Sequence, residues 1–452
     1  MISRRAFLGV GGAIPLIISA KAYGLEGPGA NDRVNVGLIG LGGRCQEIAK
    51  TCMGIPRIRI AAICDCFKPR VDTWMAVMPE GQHWKGYTDF REMIDKEDLD
   101  AVMVETTTHA RAWVACHAMA AGLDVYIEKP MCLTIAEGRA MVAIARKYER
   151  VTQVGTQQRS IPLNNWASDL VKNGTIGKIK AVYAPNFFGP VHWQDQPGEE
   201  LPLGGSAEWW DIWCNQTTPR PYHKELHRNW GKWWDYDGGG LSFGVTGWGT
   251  HSYDQIQRGL GTDTTGPIEV VLEEAVADRG TGTFEDREIG PEETGAPYYH
   301  MAKPGFGPRA KVRMKYATGT ELLLHLDGDR GPGLGCRFEG ESGSIEINRD
   351  RISASLPEIL DKPDCPATLQ VPETQPHIEN WIECIQTRSR CNADIEFGQR
   401  SSSLCYLVNI AREVGQVGAV LQWNPDTERF TNNDAANALL SRPRRPGYEL
   451  PA

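Results

Sequence analysis

The stretch VNVGLIGLGGRC, residues 34–45, decides the fold of this chain. It joins an apolar run, typical of a buried strand, to the glycines Gly40, Gly42 and Gly43 and then to the polar start of a helix at Arg44. Gly40 permits a tight turn after the strand, and Gly42 lets the backbone approach a pyrophosphate at the helix N-terminus. The stretch therefore predicts a nucleotide-binding strand–turn–helix unit.

Apolar runs and amphipathic stretches alternate through the rest of the first half. The runs IRIAAICD, LDAVMVE and LDVYIEKP have the composition of buried strands, which predicts a parallel sheet in a Rossmann domain over residues 34–155. Asp65 ends the second strand, where a carboxylate bonds ribose hydroxyls and disfavours a 2′-phosphate. We expect NAD as the cofactor, although Lys68 and Arg70 nearby leave NADP open. A Rossmann-like domain without cofactor is a further alternative.

The pattern changes in the second half of the chain. Long strands with alternating apolar residues, such as RAKVRMKYATGTELLLHLDG at 309–328, predict an open, mostly antiparallel sheet. Residues 156–452 are therefore expected to form an α+β domain that binds substrate and mediates oligomer contacts.

The chain opens with MISRRAFLGVGGAIPLIISAKA, residues 1–22. Two arginines, Arg4 and Arg5, precede a short apolar run that contains glycine and proline and ends in a small-x-small pattern. This predicts a twin-arginine signal peptide and a periplasmic or secreted location. A chance basic N-terminus and an uncleaved anchor are the alternatives. The run is shorter than the roughly 20 apolar residues of a membrane span, so we expect the mature protein to be free of the membrane.

Composition narrows the class of partner. A net charge of −9 and the lack of basic runs argue against nucleic acid and anionic lipid. The 12 cysteines contain no C-x-x-C motif, and several lie in apolar runs, so we interpret them as small buried hydrophobes and expect no metal site.

The stretch AGLDVYIEKP, residues 121–130, resembles the AGKHVxxEKP signature of the Gfo/Idh/MocA oxidoreductases, two-domain NAD(P) enzymes of sugars and cyclitols. The C-terminal part resembles the exported, glycan-processing branch of that family. The resemblance implies that Lys129 reaches both the nicotinamide ribose and the substrate hydroxyl, with Glu128 beside it and a proline bond that is often cis. A lysine there stabilises a developing alkoxide and shares its proton.

The cofactor contacts follow from the glycine-rich turn and from the resemblance. The segment Thr106–His109 corresponds to the family's T-P-D-H-x-H pattern, in which His109 is kept. We interpret His109 as a cofactor-side contact, with a structural histidine as the alternative. The predicted cofactor-binding set is Gly40, Gly42, Gly43, Arg44, Asp65, Thr106, His109, Glu128, Lys129 and Gln158.

A third stretch, GGGLSFGVTGWGTHSYD at residues 238–254, is similar to the family pattern GGGxxxD-x-G-x-H-x-x-D. His251 and Asp254 match, but Gly247 replaces the first aspartate. We predict His251 as the general base, since histidine titrates near neutrality; a structural histidine is the alternative. The missing carboxylate leaves Lys129 and His251 alone, or a substitute at Tyr236 or Asp237.

Eight of the 14 tryptophans fall between Trp193 and Trp248. Indole rings stack on the C–H faces of sugars, so this segment predicts a sugar-binding cleft. A Trp-rich core or subunit interface is the alternative. The predicted substrate contacts are Arg159, Tyr222, Arg228, Trp230, Tyr236 and Asp254.

The export signal and the dinucleotide site together constrain the function. A cofactor that leaves the cytoplasm inside a folded protein cannot be exchanged, so the hydride taken must be given back. We therefore expect reversible hydride transfer on a sugar or glycoside by a homo-oligomer. The alternatives are a redox-assisted glycosidase, which oxidises C3 transiently and then eliminates the leaving group, and a non-catalytic sugar-binding protein.

Overall fold

The computed structural model describes residues 33–240, 244–276, 307–327, 334–349 and 351–451. The predicted signal peptide, residues 1–22, lies outside the described residues, so export stays a prediction. In the part of the chain that is described, no helix is long and apolar enough to cross a membrane.

Six parallel strands form the first sheet, in the order β3-β2-β1-β4-β5-β6. This confirms the Rossmann domain. The strands are β1 (Val34–Ile39), β2 (Ile58–Cys64), β3 (Lys85–Tyr87), β4 (Ala101–Val104), β5 (Asp124–Ile127) and β6 (Thr152–Val154). Five helices connect them: α1 (Gly43–Met53), α2 (Lys68–Val77), α3 (Phe90–Lys96), α4 (Thr108–Ala120) and α5 (Ile135–Lys147). Strands β4 and β5 are buried at every position because helices cover both faces, which explains their unbroken apolar sequence.

Nine strands form the second sheet, in the order β13-β12-β11-β7-β10-β9-β8-β14-β15. Among the described strands of this second sheet, β7 and β10 form the one parallel pair. The sheet is therefore mixed and mostly antiparallel, as expected. The strands are β7 (Ile179–Asn186), β8 (Glu269–Val276), β9 (Arg309–Lys315), β10 (Glu321–Asp327), β11 (Cys336–Gly340), β12 (Ser344–Asn348), β13 (Arg351–Ala354), β14 (Val420–Asn424) and β15 (Arg429–Phe430).

The helices of the second half are α6 (Pro162–Lys172), α7 (Ala207–Cys214), α8 (Lys224–Arg228), α9 (Trp248–Leu260), α10 (Thr374–Thr387), α11 (Ile395–Val414) and α12 (Asp434–Ala438). Helices α6, α9 and α11 pack against this sheet, whereas α10 packs against the first domain. Short 3-10 turns lie at Gly81–His83, Gln157–Ser160, Trp230–Lys232 and Pro357–Ile359. Trp381 of α10 is fully buried in one apolar cluster with Leu38 and Ile48 of the Rossmann domain. The C-terminal helices therefore complete the core of the first domain.

The Trp-rich segment builds a small aromatic core of its own. The rings of Trp210 and Trp213 stack at 4.5 Å between centroids and 9° between planes. Trp209, Tyr222 and Tyr236 are buried with them, and Phe67, just after β2, packs against Trp209 at 4.7 Å. Most of these side chains thus follow the structural alternative, and the segment lies against the carboxyl ends of the parallel strands.

Candidate active site

A cavity of about 680 Å³ lies at the carboxyl ends of β1, β2, β4 and β5. Its floor is the glycine-rich turn, and Trp213 and Trp230 of the aromatic segment line it from the second domain. The strand order reverses between β1 and β4, and open α/β sheets bind their ligands at such a switch point. Among the predicted contacts, the lining includes Gly40, Gly42, Gly43, Arg44, Asp65, Thr106, Glu128, Lys129, Arg228 and Trp230.

The glycine-rich turn fits a dinucleotide pyrophosphate. Gly40 has a φ of +91°, and a Cβ there would lie 2.6 Å from the amide nitrogen of Thr106. A Cβ on Gly42 or Gly43 would meet nothing within 4 Å, so the cavity side of the turn is open to a ligand. Helix α1 has no side-chain cap and no acidic residue in its first turn. The partial positive charge at its N-terminus is therefore not neutralised by a carboxylate of the helix itself and favours an anion such as pyrophosphate.

Asp65 sits where a ribose hydroxyl would meet it. Its Oδ2 accepts hydrogen bonds from the Leu41 amide at 2.9 Å and from Arg70 Nη1 at 3.0 Å. Its Oδ1 accepts from the Phe67 amide at 2.9 Å. The carboxylate is thus held rigidly by the turn, and its charge favours NAD, while Arg70 beside it is the feature that favours a 2′-phosphate.

Glu128 and Lys129 follow β5 directly. Glu128 accepts hydrogen bonds from Arg44 Nε at 3.0 Å, from Gln157 Nε2 at 3.1 Å and from the Lys129 amide at 2.7 Å. Burial alone would raise the pKa of Glu128, but the charges of Arg44 and Lys129 hold it below its usual range. A Cβ on Gly155 would lie 2.7 Å from the Glu128 carboxylate, so any larger residue there would displace that carboxylate. The ionised Glu128 therefore anchors Arg44 at the helix N-terminus.

Lys129 points from the cavity into the second domain. Its Nζ donates a hydrogen bond to the main-chain carbonyl of Gly247 at 3.2 Å, and its bond to Pro130 is cis. Burial lowers the pKa of Lys129 to about 8, although the charge of Glu128 acts in the opposite direction. An amine that titrates there can accept a hydroxyl proton near neutral pH.

Asp237 supplies a carboxyl group close to Lys129. Its two oxygens accept hydrogen bonds from the hydroxyls of Thr108 and Thr246, and its side chain is completely buried. Burial raises the pKa of Asp237, and its charge in turn raises that of Lys129. Of the two substitutes considered for the missing aspartate, Tyr236 lies in the aromatic core, whereas Asp237 acts on the lysine.

Arg111 connects this cluster to the first domain. It occupies the position of the family's second histidine, and its Nη1 donates to Thr108 Oγ1 at 3.1 Å and to the carbonyl of Pro130 at 2.6 Å. One guanidinium thereby fixes both a hydroxyl that binds Asp237 and the backbone just after Lys129.

His251 lies one helical turn after Gly247 on α9. It is 5% exposed, and its Nδ1 has no hydrogen-bond partner among the described residues. Burial lowers the pKa of His251 well below its usual range, and the charges of Lys129 and Arg349 lower it further. The imidazole is therefore neutral at physiological pH and can accept a proton.

Four predicted contacts have other roles in the structure. His109 is buried, and its Nε2–H donates to the Trp213 carbonyl at 2.7 Å, which is the structural role given as the alternative; a cofactor-side contact stays a prediction. Gln158 contacts Gln255 at 3.4 Å, while its neighbour Gln157 is the residue that binds Glu128. Tyr222 and Tyr236 pack in the aromatic core and are not among the residues that line the cavity.

Arg159 and Asp254 bind each other. Arg159 Nε lies 2.8 and 2.9 Å from the two carboxylate oxygens of Asp254, and its Nη2 lies 2.7 Å from Asp263. Ser401 donates a further hydrogen bond to Asp254 at 2.6 Å. Both members of the pair are almost completely buried, and both carboxylate oxygens of Asp254 already accept hydrogen bonds. The pair therefore has a structural role, and a substrate contact at either position stays a prediction.

Glu105 and Tyr448 are among the cavity residues that were not predicted. Glu105 follows β4 directly and is buried, and burial together with the charge of Glu128 raises its pKa well above the usual range. A charged residue directly after the apolar run LDAVMV is the sequence signal that could have identified it. Tyr448, near the C-terminus, also lines the cavity, and no local pattern marks it.

The site has the parts of a dinucleotide-dependent oxidoreductase: a glycine-rich turn, a ribose-binding acid and a lysine between the cavity and a buried acid–base cluster. The chain belongs to the Gfo/Idh/MocA oxidoreductase family. Residues 34–156 match the family's NAD-binding Rossmann fold, and residues 198–286 and 293–450 match its C-terminal alpha/beta domain. NAD is accordingly the cofactor, and Gly40, Gly42, Gly43 and Asp65 fit it.

Known relatives include both hydrolases and dehydrogenases by name. The chain is 27% identical over 183 residues to glycosyl hydrolase family 109 protein 1 of Bacteroides fragilis (strain YCH46), covering 36% of this chain and 38% of that protein. It is 25% identical over 155 residues to inositol 2-dehydrogenase of Salmonella typhimurium (strain LT2), covering 34% of this chain and 44% of that protein. The matched region spans less than half of either relative.

Solved structures share the fold over most of the chain. The WlbA dehydrogenase from Bordetella pertussis, in complex with NADH and UDP-GlcNAcA, superposes with a TM-score of 0.56 at 16% identity, over 87% of this chain and 99% of that chain. The aldose-aldose oxidoreductase from Caulobacter crescentus gives 0.56 at 19% identity, over 86% and 99%. These similarities establish the two-domain architecture.

Proposed function

We propose that this chain is an exported NAD-dependent oxidoreductase that acts on sugars or glycosides by reversible hydride transfer and keeps its cofactor bound between turnovers. The observation that carries the proposal is the position of Lys129. Its amine has a pKa of about 8 and lies between the dinucleotide cavity and the buried groups Asp237 and His251.

The chemistry divides between the cofactor and the protein. NAD, when bound, accepts the hydride and returns it. Neutral Lys129 takes the proton of the reacting hydroxyl, and His251, also neutral, is the second group able to accept a proton. Asp237 sets the charge balance around the lysine from its buried position. Lys129 and His251 thus remove and restore the proton, and Asp237 acts on Lys129 through its charge.

A sugar suits the second-domain side of the cavity. Trp230 is partly buried and lines the cavity, so its ring offers an apolar face for a pyranose, and exposed Arg228 next to it offers donors for hydroxyl or acid oxygens. The aromatic core behind them holds Trp213 rigidly at the cavity wall. This combination supports a sugar or glycoside over a small, flexible acid.

Retention of the cofactor follows from the export proposal. The cavity lies between the Rossmann domain, the aromatic segment and the C-terminal end of the chain. An exported protein that releases NADH has no nearby pool from which to replace it. The hydride must therefore return to the same substrate or pass to a second sugar within the same loaded protein.

A second candidate function is a redox-assisted glycosidase. Two observations favour it: Gly247 stands where the family aspartate is expected, and one relative is named as a glycosyl hydrolase. The hydride would leave C3 of the glycoside while Lys129 takes the O3 proton, producing a 3-keto glycoside. His251 would remove the now acidic C2 proton, and the C1–O bond would break as the leaving group takes up a proton. Water would then add across the double bond at C1 and C2, and the hydride would return to C3.

One experiment separates these functions. The mature protein is purified, part of it is denatured to identify released nucleotide by mass, and the rest is incubated with glycosides in D₂O without added NAD. We expect stoichiometric NAD(H). Interconversion of sugars without deuterium at C2 supports the oxidoreductase, whereas cleavage with deuterium at C2 supports the glycosidase. Nucleotide-free protein that works only with added NAD would contradict retention, and a loaded protein with no turnover would indicate a sugar-binding role.

Export and assembly need separate measurements. Replacing Arg4 and Arg5 with lysines should leave the protein in the cytoplasm with its N-terminus intact. Unchanged export would indicate the general secretory route, which delivers unfolded chains without cofactor. Light scattering on the purified protein should show a homo-oligomer larger than the 50.0 kDa chain.

A further inference from the structure

The last residues of the chain, 441–451, cross from α12 to the cofactor cavity as an extended C-terminal tail. Three arginines fix the tail to distant parts of the fold. Arg442 donates to the Trp234 carbonyl and lies 4.3 Å from the Trp234 ring. Arg444 pairs with Glu137 of α5 at 2.7 Å. The tail is thus held by a carbonyl hydrogen bond, an arginine–tryptophan ring contact and a buried ion pair, unlike a frayed terminus.

Arg445 makes the third attachment. It donates to the carboxylate and main-chain carbonyl of Asp211 on α7 and to the carbonyl of Asn215. Its guanidinium also lies 4.4 Å from the ring centroid of Tyr448. One arginine therefore connects the aromatic segment to the tail and places the Tyr448 ring.

Tyr448 is the tail residue that reaches the cavity. Its ring centroid lies 5.0 Å from that of Trp113 on α4, and its hydroxyl lies 3.3 Å from Asp211 Oδ2. Tyr448, Trp113 and Gly447 line the same cavity as the glycine-rich turn. The rings of Trp113 and Tyr448, which are far apart in the sequence, thus form one wall of the cavity.

The position of this wall along the cavity identifies what it faces. The pyrophosphate belongs at Gly42 and Gly43, the adenosine ribose at Asp65, and the nicotinamide half at Lys129. The adenine end must therefore lie on the far side of Asp65 from the lysine. There the cavity is lined by residues that follow β3, including Arg91, which lies 5.5 Å from the Trp113 ring.

We propose that Tyr448 is a cofactor-binding residue: with Trp113 it forms the aromatic wall of the adenine pocket, and the anchored tail must move before NAD leaves. Aromatic side chains bind adenine by stacking on its face or by contacting its edge, and neither contact requires a charged group. The proposal rests on NAD occupying the cavity, and it supplies a physical basis for the retention proposed above. A Rossmann domain alone, without residues 441–451, would have an open adenine pocket.

The test measures nucleotide release, not turnover. The full-length mature protein is loaded with ¹³C-labelled NAD⁺, chased with excess unlabelled NAD⁺, and the label that remains bound is followed by mass. We expect Tyr448→Ala to release NAD⁺ about 10-fold faster or more, the scale of a lost base–aromatic contact. Arg445→Ala, which removes the anchor, should also accelerate release. Tyr448→Phe keeps the ring and should remain within about twofold of the wild type.

Controls keep the result specific. Tyr183→Ala is a matched control, since Tyr183 is also half-buried with an arginine, Arg337, 5.0 Å from its ring, but it lies on β7. Its release rate should equal that of the wild type. Tyr448→Leu retains apolar packing if Tyr448→Ala fails to fold, and it should still release NAD⁺ faster.

The outcomes also distinguish this inference from the proposed function. Folded Tyr448→Ala and Tyr448→Leu proteins that release NAD⁺ at the wild-type rate would overturn the role of the tail and leave the retained-cofactor cycle standing. A wild-type protein isolated without nucleotide would overturn retention, yet faster release from loaded Tyr448→Ala would still support the tail. A wild type that binds no NAD⁺ would overturn both.

Discussion

Lys129 donates a hydrogen bond to the main-chain carbonyl of Gly247 at 3.2 Å, where the family pattern places an aspartate side chain. A carbonyl is a fixed dipole that neither takes nor gives a proton. It holds the amine in place but stabilises the ammonium less than a carboxylate would. Burial therefore dominates and lowers the pKa of Lys129 to about 8.

The first prediction concerns the pH dependence of turnover. The base form of Lys129 is the neutral amine, so kcat/KM should rise with pH and level off above an inflection at about 8. His251 should add no inflection between about pH 6 and pH 8, because burial keeps its pKa well below that range. Lys129→Ala should lose about 10²–10⁴ in turnover and the inflection with it. A profile of the wild type that falls as pH rises through 8 would contradict this role.

The second prediction tests His251. His251→Ala should lower turnover by about 10²–10⁴ while bound NAD stays at the wild-type level, since the residue lies on α9 and is not among those that line the dinucleotide cavity. His109→Ala is the control: that histidine is equally buried but bonded to Trp213, so its loss should lower the melting temperature more than turnover of the folded protein. If His251→Ala keeps full activity, the second base lies elsewhere, and Asp237 becomes the candidate.

The third prediction tests whether the charge of Asp237 acts on the pKa of Lys129. Its charge raises the pKa of Lys129, so Asp237→Asn should move the inflection of kcat/KM to lower pH. Asp235→Asn is the matched control, because Asp235 precedes it by two residues but pairs with Arg220 at 2.6 Å. Its inflection should stay near 8. An unchanged inflection in Asp237→Asn would show that this carboxyl group is neutral or too remote to act.

The sequence was sufficient wherever a backbone constraint or a strand end determines the position of a residue. Gly40 needs a positive φ, and Asp65 and Lys129 follow parallel strands whose carboxyl ends share one edge of the sheet, so their place in the cavity was predictable. The alternation of strands and helices predicted a parallel sheet, whereas the short strands β3 and β6 and the strand order come from the structure.

The sequence was insufficient where tertiary packing selects the partner. Gln157 and Gln158 occupy one 3-10 turn, and which of them reaches Glu128 depends on how that turn meets β5. Arg159 has the chemistry to bind a sugar, but α9 and the residues after it bring two aspartates to it. Tyr448 is far from Trp113 along the chain, so nothing in the sequence near either residue indicated their contact.

The fourth prediction tests the structural role of the Arg159–Asp254 pair. Asp254→Ala leaves the buried guanidinium with Asp263 alone, and breaking a buried pair costs about 3–5 kcal/mol of unfolding free energy. Asp169→Ala is the control. Asp169 on α6 forms a more exposed pair with Arg258, which lies on α9 like Asp254, and such a pair is worth at most about 1 kcal/mol. Urea unfolding measures both. Equal stability losses would contradict the structural role of the buried pair.

The last prediction concerns Gly247, and it discriminates between the two candidate functions. Gly247 is the N-cap of α9, where aspartate is a favoured residue, and its φ of −77° lies outside the left-handed region, so we expect Gly247→Asp to fold. Its negative charge should raise the pKa of Lys129 and move the inflection of kcat/KM above 8. Gly247→Asn has the same shape without the charge, so its inflection should stay near 8. If the protein cleaves glycosides, Gly247→Asp should lower cleavage at pH 7, because less of the lysine is then neutral to take the O3 proton. If Gly247→Asp instead gains simple alcohol oxidation and neither protein cleaves a glycoside, the chain is a dehydrogenase with a weakened relay, and the glycosidase candidate is excluded.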